Sequence, residues 1–199
     1  MERKIKICGL SRPEDIEAIN KTKADYAGFV VDVPFSSRSI DEAILQKLAA
    51  RLDPQIVRVG VFVDEDLEKM ARLLNEGLLD VIQLHGSQDE TFIGRLQQHG
   101  TVWRAFQVRT REDLQQAALS KADLVLLDAG AGNGKRFDWS LLDGFSRPYL
   151  LAGGIGLDNL EAALATGCMG VDVSSQTETD HKKDPEKIME LVQAVKAAG

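Results

Sequence analysis

The sequence predicts an α/β chain folded as one compact (βα)8 (TIM) barrel spanning residues 1–199, on three observations. A short β-branched apolar run, a polar or glycine-rich turn and a helix-period segment recur eight times along the chain. Runs such as "VGVFV" and "DLVLL" are apolar on both faces, as strands of a parallel sheet covered by helices must be. No linker, low-complexity stretch or composition break divides the 199 residues. An open doubly wound sheet is the competing architecture; it commonly carries a GxGxxG turn, and none occurs here.

The first strand is expected at Ile5–Cys8, followed by a helix over Ser11–Lys21, with Ser11 as N-cap and a carboxylate three residues on. Tyr26–Val31 is the second strand; after it come the polar loop "DVPFSSRSI" and a helix over Asp41–Leu52, with acids in its first turn. Val57–Val63 leads into Asp64–Asn75, Val81–Leu84 into Asp89–His99, and Val102–Phe106 into Arg111–Leu119. The sixth strand, Leu124–Asp128, is followed by only about one helical turn near Asp138–Leu142. Tyr149–Leu151 with Leu157–Ala165, then Gly170–Val173 with Pro185–Ala198, complete the series.

Composition bounds the function. The net charge of −7, with both signs mixed along the chain and no basic run, argues against a nucleic-acid groove. A small anionic substrate stays open, because local backbone amides can outweigh global charge. "MERKIKIC" lacks the apolar region of a secretory signal, and no apolar run approaches the roughly twenty residues of a membrane span. A cytoplasmic protein with reduced thiols at Cys8 and Cys168 is therefore expected. His85, His99 and His181 stand at no metal-ligand spacing, so no metal is expected.

In a barrel, chemistry sits at the C-terminal ends of the strands. That rule selects Cys8 after strand one, Arg38 in the loop after strand two, Gln83 and His85 at strand four and Asp128 after strand six. It also selects Gly153 and Gly154 after strand seven, and Asp172, Ser174 and Ser175 at strand eight. A Gly-Gly turn and a Ser-Ser turn in the last two loops suit a phosphate. Asp128, closing "LVLLD", is placed for desolvation and a general-acid role, or for ordering a loop. Cys8 is either a small buried hydrophobe or, given thiolate character, a base across the same mouth. Arg38 could hold a substrate carboxylate in a two-point fork or lie on the surface; His85 could line the site or cap a strand. Trp103 and Trp139 read as packing residues, and "TETDHKKD" (177–184) as a solvated loop.

Taken together, "KICGL" with "RPED", "VGVFV", "IQLHG", "LLDAGAGNGKRFDW", "LAGGI" and "VDVSS" resemble, in order and over nearly the whole chain, the phosphoribosylanthranilate isomerase family of the tryptophan pathway. The resemblance implies a cofactor-independent Amadori rearrangement of a phosphorylated small molecule. It puts the general base on Cys8, the general acid on Asp128, the carboxylate-binding arginine on Arg38, and the phosphate on the Gly153-Gly154 and Ser174-Ser175 turns. Monomer and homodimer are both compatible with it. The histidine-pathway isomerase, whose first-strand base is an aspartate, and a non-catalytic phosphate-binding barrel are the alternatives. Three departures stand out: "SSR" for "SPR", Asn133 in "GAGNGK" where threonine is usual, and Gln176 where the family has glycine. Should position 176 require a positive φ, glutamine would cost about 1–2 kcal/mol there.

Overall fold

The computed structural model describes residues 2–128 and 139–199. The "GAGNGK" segment, Asn133 and the expected helix start at Asp138 lie outside the described residues.

Eight parallel strands form the barrel: β1 (Lys4–Cys8), β2 (Tyr26–Val31), β3 (Val57–Phe62), β4 (Val81–Leu84), β5 (Thr101–Gln107), β6 (Leu124–Asp128), β7 (Tyr149–Ala152) and β8 (Gly170–Val173). The ring closes because β1 pairs with both β2 and β8, in a register that sets Lys6 opposite Tyr26 on one side and Asp172 on the other. The helices are α1 (Pro13–Asn20), α2 (Glu42–Ala49), α3 (Leu67–Asn75), α4 (Glu90–Leu96), α5 (Arg111–Leu119), α6 (Leu160–Ala165) and α7 (Pro185–Ala197). Among the described residues between β6 and β7, the helical element is a 3₁₀ turn, Trp139–Leu142. A two-residue strand, Ser39–Ile40, adds to β2 at the end of the Arg38 loop.

Two cores hold this arrangement. Outward-facing strand residues such as Ile5, Ile7 and Phe29 pack under the helices with no exposure, each worth about 1.5–3 kcal/mol. Inside the ring, Val59, Val81, Trp103, Leu124, Leu126 and Leu150 form a plug, with Tyr26 edge-on to Trp103 at 4.9 Å. The barrel is therefore filled below, and its open end is the mouth where the strands finish.

Helix starts follow side-chain capping. Asp41, Asp66 and Asp89 accept from the amides of Ile44, Glu68 and Phe92, and Asp184 from those of Glu186 and Lys187. Three expected starts are corrected, and one of them is the helix expected from Leu157, which begins at Leu160 after Asn159 as N-cap. Ser11 does not cap α1; the N-cap is Arg12, and Asp15 accepts from the amides of both Ser11 and Arg12. The third helix begins after Asp66 rather than at Asp64, because Asp64 takes φ 49° and turns the chain first. No helix among the described residues is long and apolar enough to cross a membrane.

Candidate active site

β1 ends at Cys8 because Gly9 takes φ 81°, after which the amides of Gly9 and Leu10 both donate to the Gly28 carbonyl. That glycine has a second reason: a Cβ on it would lie 2.4 Å from Cδ of Arg38. Its missing side chain is the slot through which Arg38 crosses the mouth. On the neighbouring strand β2, Gly28 likewise makes room, since a Cβ there would sit 2.9 Å from both Cys8 Sγ and Lys6 Nζ.

Lys6, beside the cavity residues Cys8 and Asp172, is a residue that strand-end reasoning does not reach. Alternation along "KIKIC" puts it on the same inward face as Cys8. It has no exposure, and its Nζ donates to Asp172 Oδ1 at 3.0 Å. Burial would lower its pKa, but the charge of Asp172 and the neighbouring Cys8 sulfur outweigh burial and hold it above the ordinary lysine value. Burial pushes the Cys8 thiol up, with Lys6 opposing. Asp172 is likewise raised by burial, again with Lys6 opposing. Thus Asp172, expected from its strand-end position to face a ligand, has one oxygen already committed to Lys6.

Across the mouth stands Asp128 at the end of β6. Its side chain is 22% exposed, so it is only partly desolvated, and its Oδ2 lies 3.9 Å from Nε2 of the half-exposed His85. Gln83, on β4, is 2% exposed, and its Oε1 has no partner among the described residues. Arg38 Nε and an Arg38 terminal nitrogen each donate to one oxygen of Glu178 at 2.7 Å, a two-point fork. Lys183 donates to the same Glu178 and to the Ser174 carbonyl, both at 2.8 Å. Burial would raise the Glu178 carboxyl, but the hydrogen bonds from Arg38 and Lys183 prevail and hold it at about 2.

This corrects the reading of 177–184 as a solvated loop. Glu178–Thr179 and Lys182–Lys183 pair as a small antiparallel hairpin that delivers Lys183, 6% exposed, to the rim of the site. The sequence signal was weak, because the turn residues are Asp180 and His181 rather than the usual Asn-Gly.

At the other end of the mouth, Gly153 and Gly154 take φ 98° and 66°, a turn that needs glycine twice. Asn159 ties that turn by donating to the Gly154 carbonyl and accepting from the Gly156 amide, both at 3.0 Å. The Ser174 hydroxyl donates to the Cys8 carbonyl at 3.0 Å, tying the end of β8 to that of β1. Gln176 lies in a 3₁₀ turn, Ser175–Thr177, and is absent from the described non-glycine residues with positive φ, which are Asp32, Asp64, Asp180 and His181. The left-handed strain that a positive φ would have imposed on it does not arise.

One cavity of about 280 Å³ joins these features. Cys8, Arg38, Gln83, His85, Asp128, Gly153, Gly154, Asp172, Ser174 and Ser175 all line it, over a floor of Val30, Val61, Ala105 and Leu126. A thiol and a carboxyl thus flank a space with a guanidinium at one side and a glycine turn at the other. That set can move protons at two points of one anionic ligand. Among the described residues, no group of His, Cys, Asp and Glu is arranged to hold a metal ion.

Comparison with known proteins places this geometry. Residues 5–194 match the family model for N-(5'phosphoribosyl)anthranilate (PRA) isomerase. The N-(5'-phosphoribosyl)anthranilate isomerase of Clostridium acetobutylicum is 40% identical over 203 residues, covering 97% of this chain and 98% of that one. The enzyme of the same name from Endomicrobium trichonymphae is 40% identical, covering 98% of each chain. Among solved structures, phosphoribosyl anthranilate isomerase of Thermotoga maritima superposes with a TM-score of 0.88 at 31% identity, covering 98% of this chain and 99% of that one. A phosphoribosyl anthranilate isomerase in complex with reduced 1-(o-carboxyphenylamino)-1-deoxyribulose 5-phosphate gives 0.87 at 30% identity, with the same coverage.

Proposed function

The chain belongs to the N-(5'-phosphoribosyl)anthranilate isomerase family and is an intramolecular oxidoreductase converting that substrate to its 1-deoxyribulose 5-phosphate isomer in tryptophan biosynthesis; on that premise we propose that Cys8 is its general base and Asp128 its general acid. The observation that carries the assignment is their placement on opposite sides of one cavity, between the Arg38 guanidinium and the Gly153-Gly154 turn.

Asp128 protonates the ribose ring oxygen, and the ring opens to a protonated Schiff base. The iminium acidifies the adjacent C2′–H, so a modest base suffices. The Cys8 thiolate takes that proton, and the electron pair moves toward nitrogen to give an enolamine. Tautomerisation yields the ketone. The two groups must begin in opposite protonation states, the acid protonated and the thiol ionised. Arg38 holds the anthranilate carboxylate, exchanging one carboxylate partner, Glu178, for another. The glycine turn and the amides around Ser174 and Ser175 take the phosphate, while Gln83 and His85 contact the sugar portion. The enzyme works in the cytoplasm, as a monomer or a homodimer; one Thermotoga maritima relative is described as dimeric.

An anthranilate-fluorescence assay with freshly made substrate tests the assignment. Cys8→Ala and Asp128→Asn should each lower kcat by about 10²–10⁴-fold with unchanged circular dichroism. Arg38→Ala should act mainly on KM. Full turnover in Cys8→Ala would remove the thiol from the mechanism, and an unaltered KM would remove Arg38 from the carboxylate site.

A further inference from the structure

We propose that Lys6 is a positioning residue for the proton transfer at Cys8, its buried ammonium, anchored on Asp172, stabilising the thiolate from the same inward face of β1. The inference rests on the reading of Cys8 as the base.

The geometry comes from the strand itself. Lys6 and Cys8 are two residues apart on β1 and share the inward face. Both terminal atoms border the space left by the absent Gly28 side chain, where a Cβ would lie 2.9 Å from Nζ and 2.9 Å from Sγ. Lys6 is fully buried, with Tyr26 and Asp172 opposite it on the flanking strands and the apolar plug on the remaining ones. A buried ammonium is costly, and a hydrophobic residue of similar volume would fill the ring with less loss. The charge is kept where a thiol needs one. Burial favours the protonated thiol and prevails in the substrate-free protein, and the largest influence opposing it there is Lys6.

Other charges act on the sulfur more weakly than Lys6 does, Asp172 opposing the thiolate and Lys183 favouring it, and each has a partner of its own. Arg38, from the loop after β2, and Lys183, from the hairpin after β8, share Glu178. Asp128 on β6 and His85 after β4 face each other across the cavity. Asp172 on β8 neutralises Lys6 at 3.0 Å, so the pair carries no net charge. A cationic Schiff base can therefore approach the sulfur without meeting an uncompensated ammonium. During the transfer the C2′ proton goes to Sγ, and Lys6 keeps its own protons throughout.

The test reads the thiol directly. Alkylation of Cys8 by iodoacetamide, followed by peptide mass spectrometry as a function of pH, reports the thiolate in the substrate-free enzyme. Replacing Lys6 alone leaves Asp172 buried without its partner, so Lys6→Met is paired with the double variant Lys6→Met/Asp172→Asn, which removes both charges at similar volume. Expected in either folded variant is at least a tenfold slower alkylation at pH 7, an alkylation profile moved to higher pH, and a comparable fall in kcat with KM within threefold. An unmoved alkylation profile in the double variant, with Cys8→Ala inactive, overturns the role of Lys6 and leaves Cys8 as the base. A Cys8→Ala enzyme with full turnover overturns both.

Discussion

Gly9 is one residue with two separate constraints. Its φ of 81° is a conformation any L side chain resists, at about 1–2 kcal/mol. A methyl there would also collide with the stem of Arg38. Gly9→Ala should therefore lower stability by roughly that amount and, by displacing the guanidinium, raise KM about tenfold while kcat changes less. Urea unfolding and steady-state fluorescence kinetics measure the two effects; a stability loss with KM untouched would mean that Arg38 finds another path across the mouth. The same residues show what a sequence discloses. Cys8, Arg38 and Asp128 were legible because strand ends and the loops after them point to one mouth whatever the neighbours are. The glycine beside Cys8 was not legible as the slot for Arg38, because that arginine comes from the loop after the next strand. Lys6 was missed because lysine is overwhelmingly a surface residue. The available signal was its phase: two residues before the thiol, it had to face inward as well.

At the scale of elements, the hairpin 178–183 is the feature that composition hid. Its polar stretch reads as solvent-facing, yet Asp180 and His181 both hold positive φ, of 50° and 60°. A non-glycine pair in that conformation persists only where surrounding contacts outweigh its strain. Here the contacts are those of Lys183 with Ser174 and of Glu178 with Arg38 and Lys183. They carry a pH signature. Glu178 is held at about 2 in the folded protein against 4.5 for an unperturbed glutamate. A depressed carboxyl stabilises the fold above the unfolded value and loses that stabilisation as pH falls toward the folded one. Between about pH 5 and pH 2 the native enzyme should thus lose about 2 kcal/mol through this group, a figure reduced for the partial exposure of Arg38. Urea unfolding at the two ends of that window should show the loss, and Glu178→Gln should flatten it by the same amount. A variant with the slope of the native enzyme would place the acid sensitivity in other carboxyls. By contrast the strands were readable nearly to the residue, because a run apolar on both faces has no other home in a compact chain. Helix starts were less so: Asp64 and Ser11 are good caps by type, and only local backbone geometry passes the start to Asp66 and Arg12.

For the whole molecule, the decisive event is closure of the ring, since β1 must pair with β8 from the far end of the chain. Sequence predicts that the ring closes, by counting eight units, but not what clasps it. The clasp is at the bottom, opposite the catalytic mouth. Asp25, just before β2, accepts from Lys4 Nζ and the Ile5 amide of β1 at 2.8 and 2.9 Å, and from Lys196 Nζ of α7 at 2.8 Å. Lys196 also reaches Glu2 and the Arg3 carbonyl, so the two ends of the chain meet on one carboxylate. α7 packs on β1 and α1, which makes this joint the seam of the barrel. Asp25→Ala removes three hydrogen bonds and leaves two partly buried ammonium groups facing each other. A loss of about 2–4 kcal/mol is expected, more than an exposed ion pair gives and less than a fully buried one. Because the joint lies at the strand starts, kcat/KM of the folded variant should stay within twofold. Urea unfolding and the fluorescence assay on the same preparation decide the matter: an unchanged midpoint would show that strand pairing alone closes the ring, and a large fall in kcat/KM would show that the bottom of the barrel sets the geometry of its mouth.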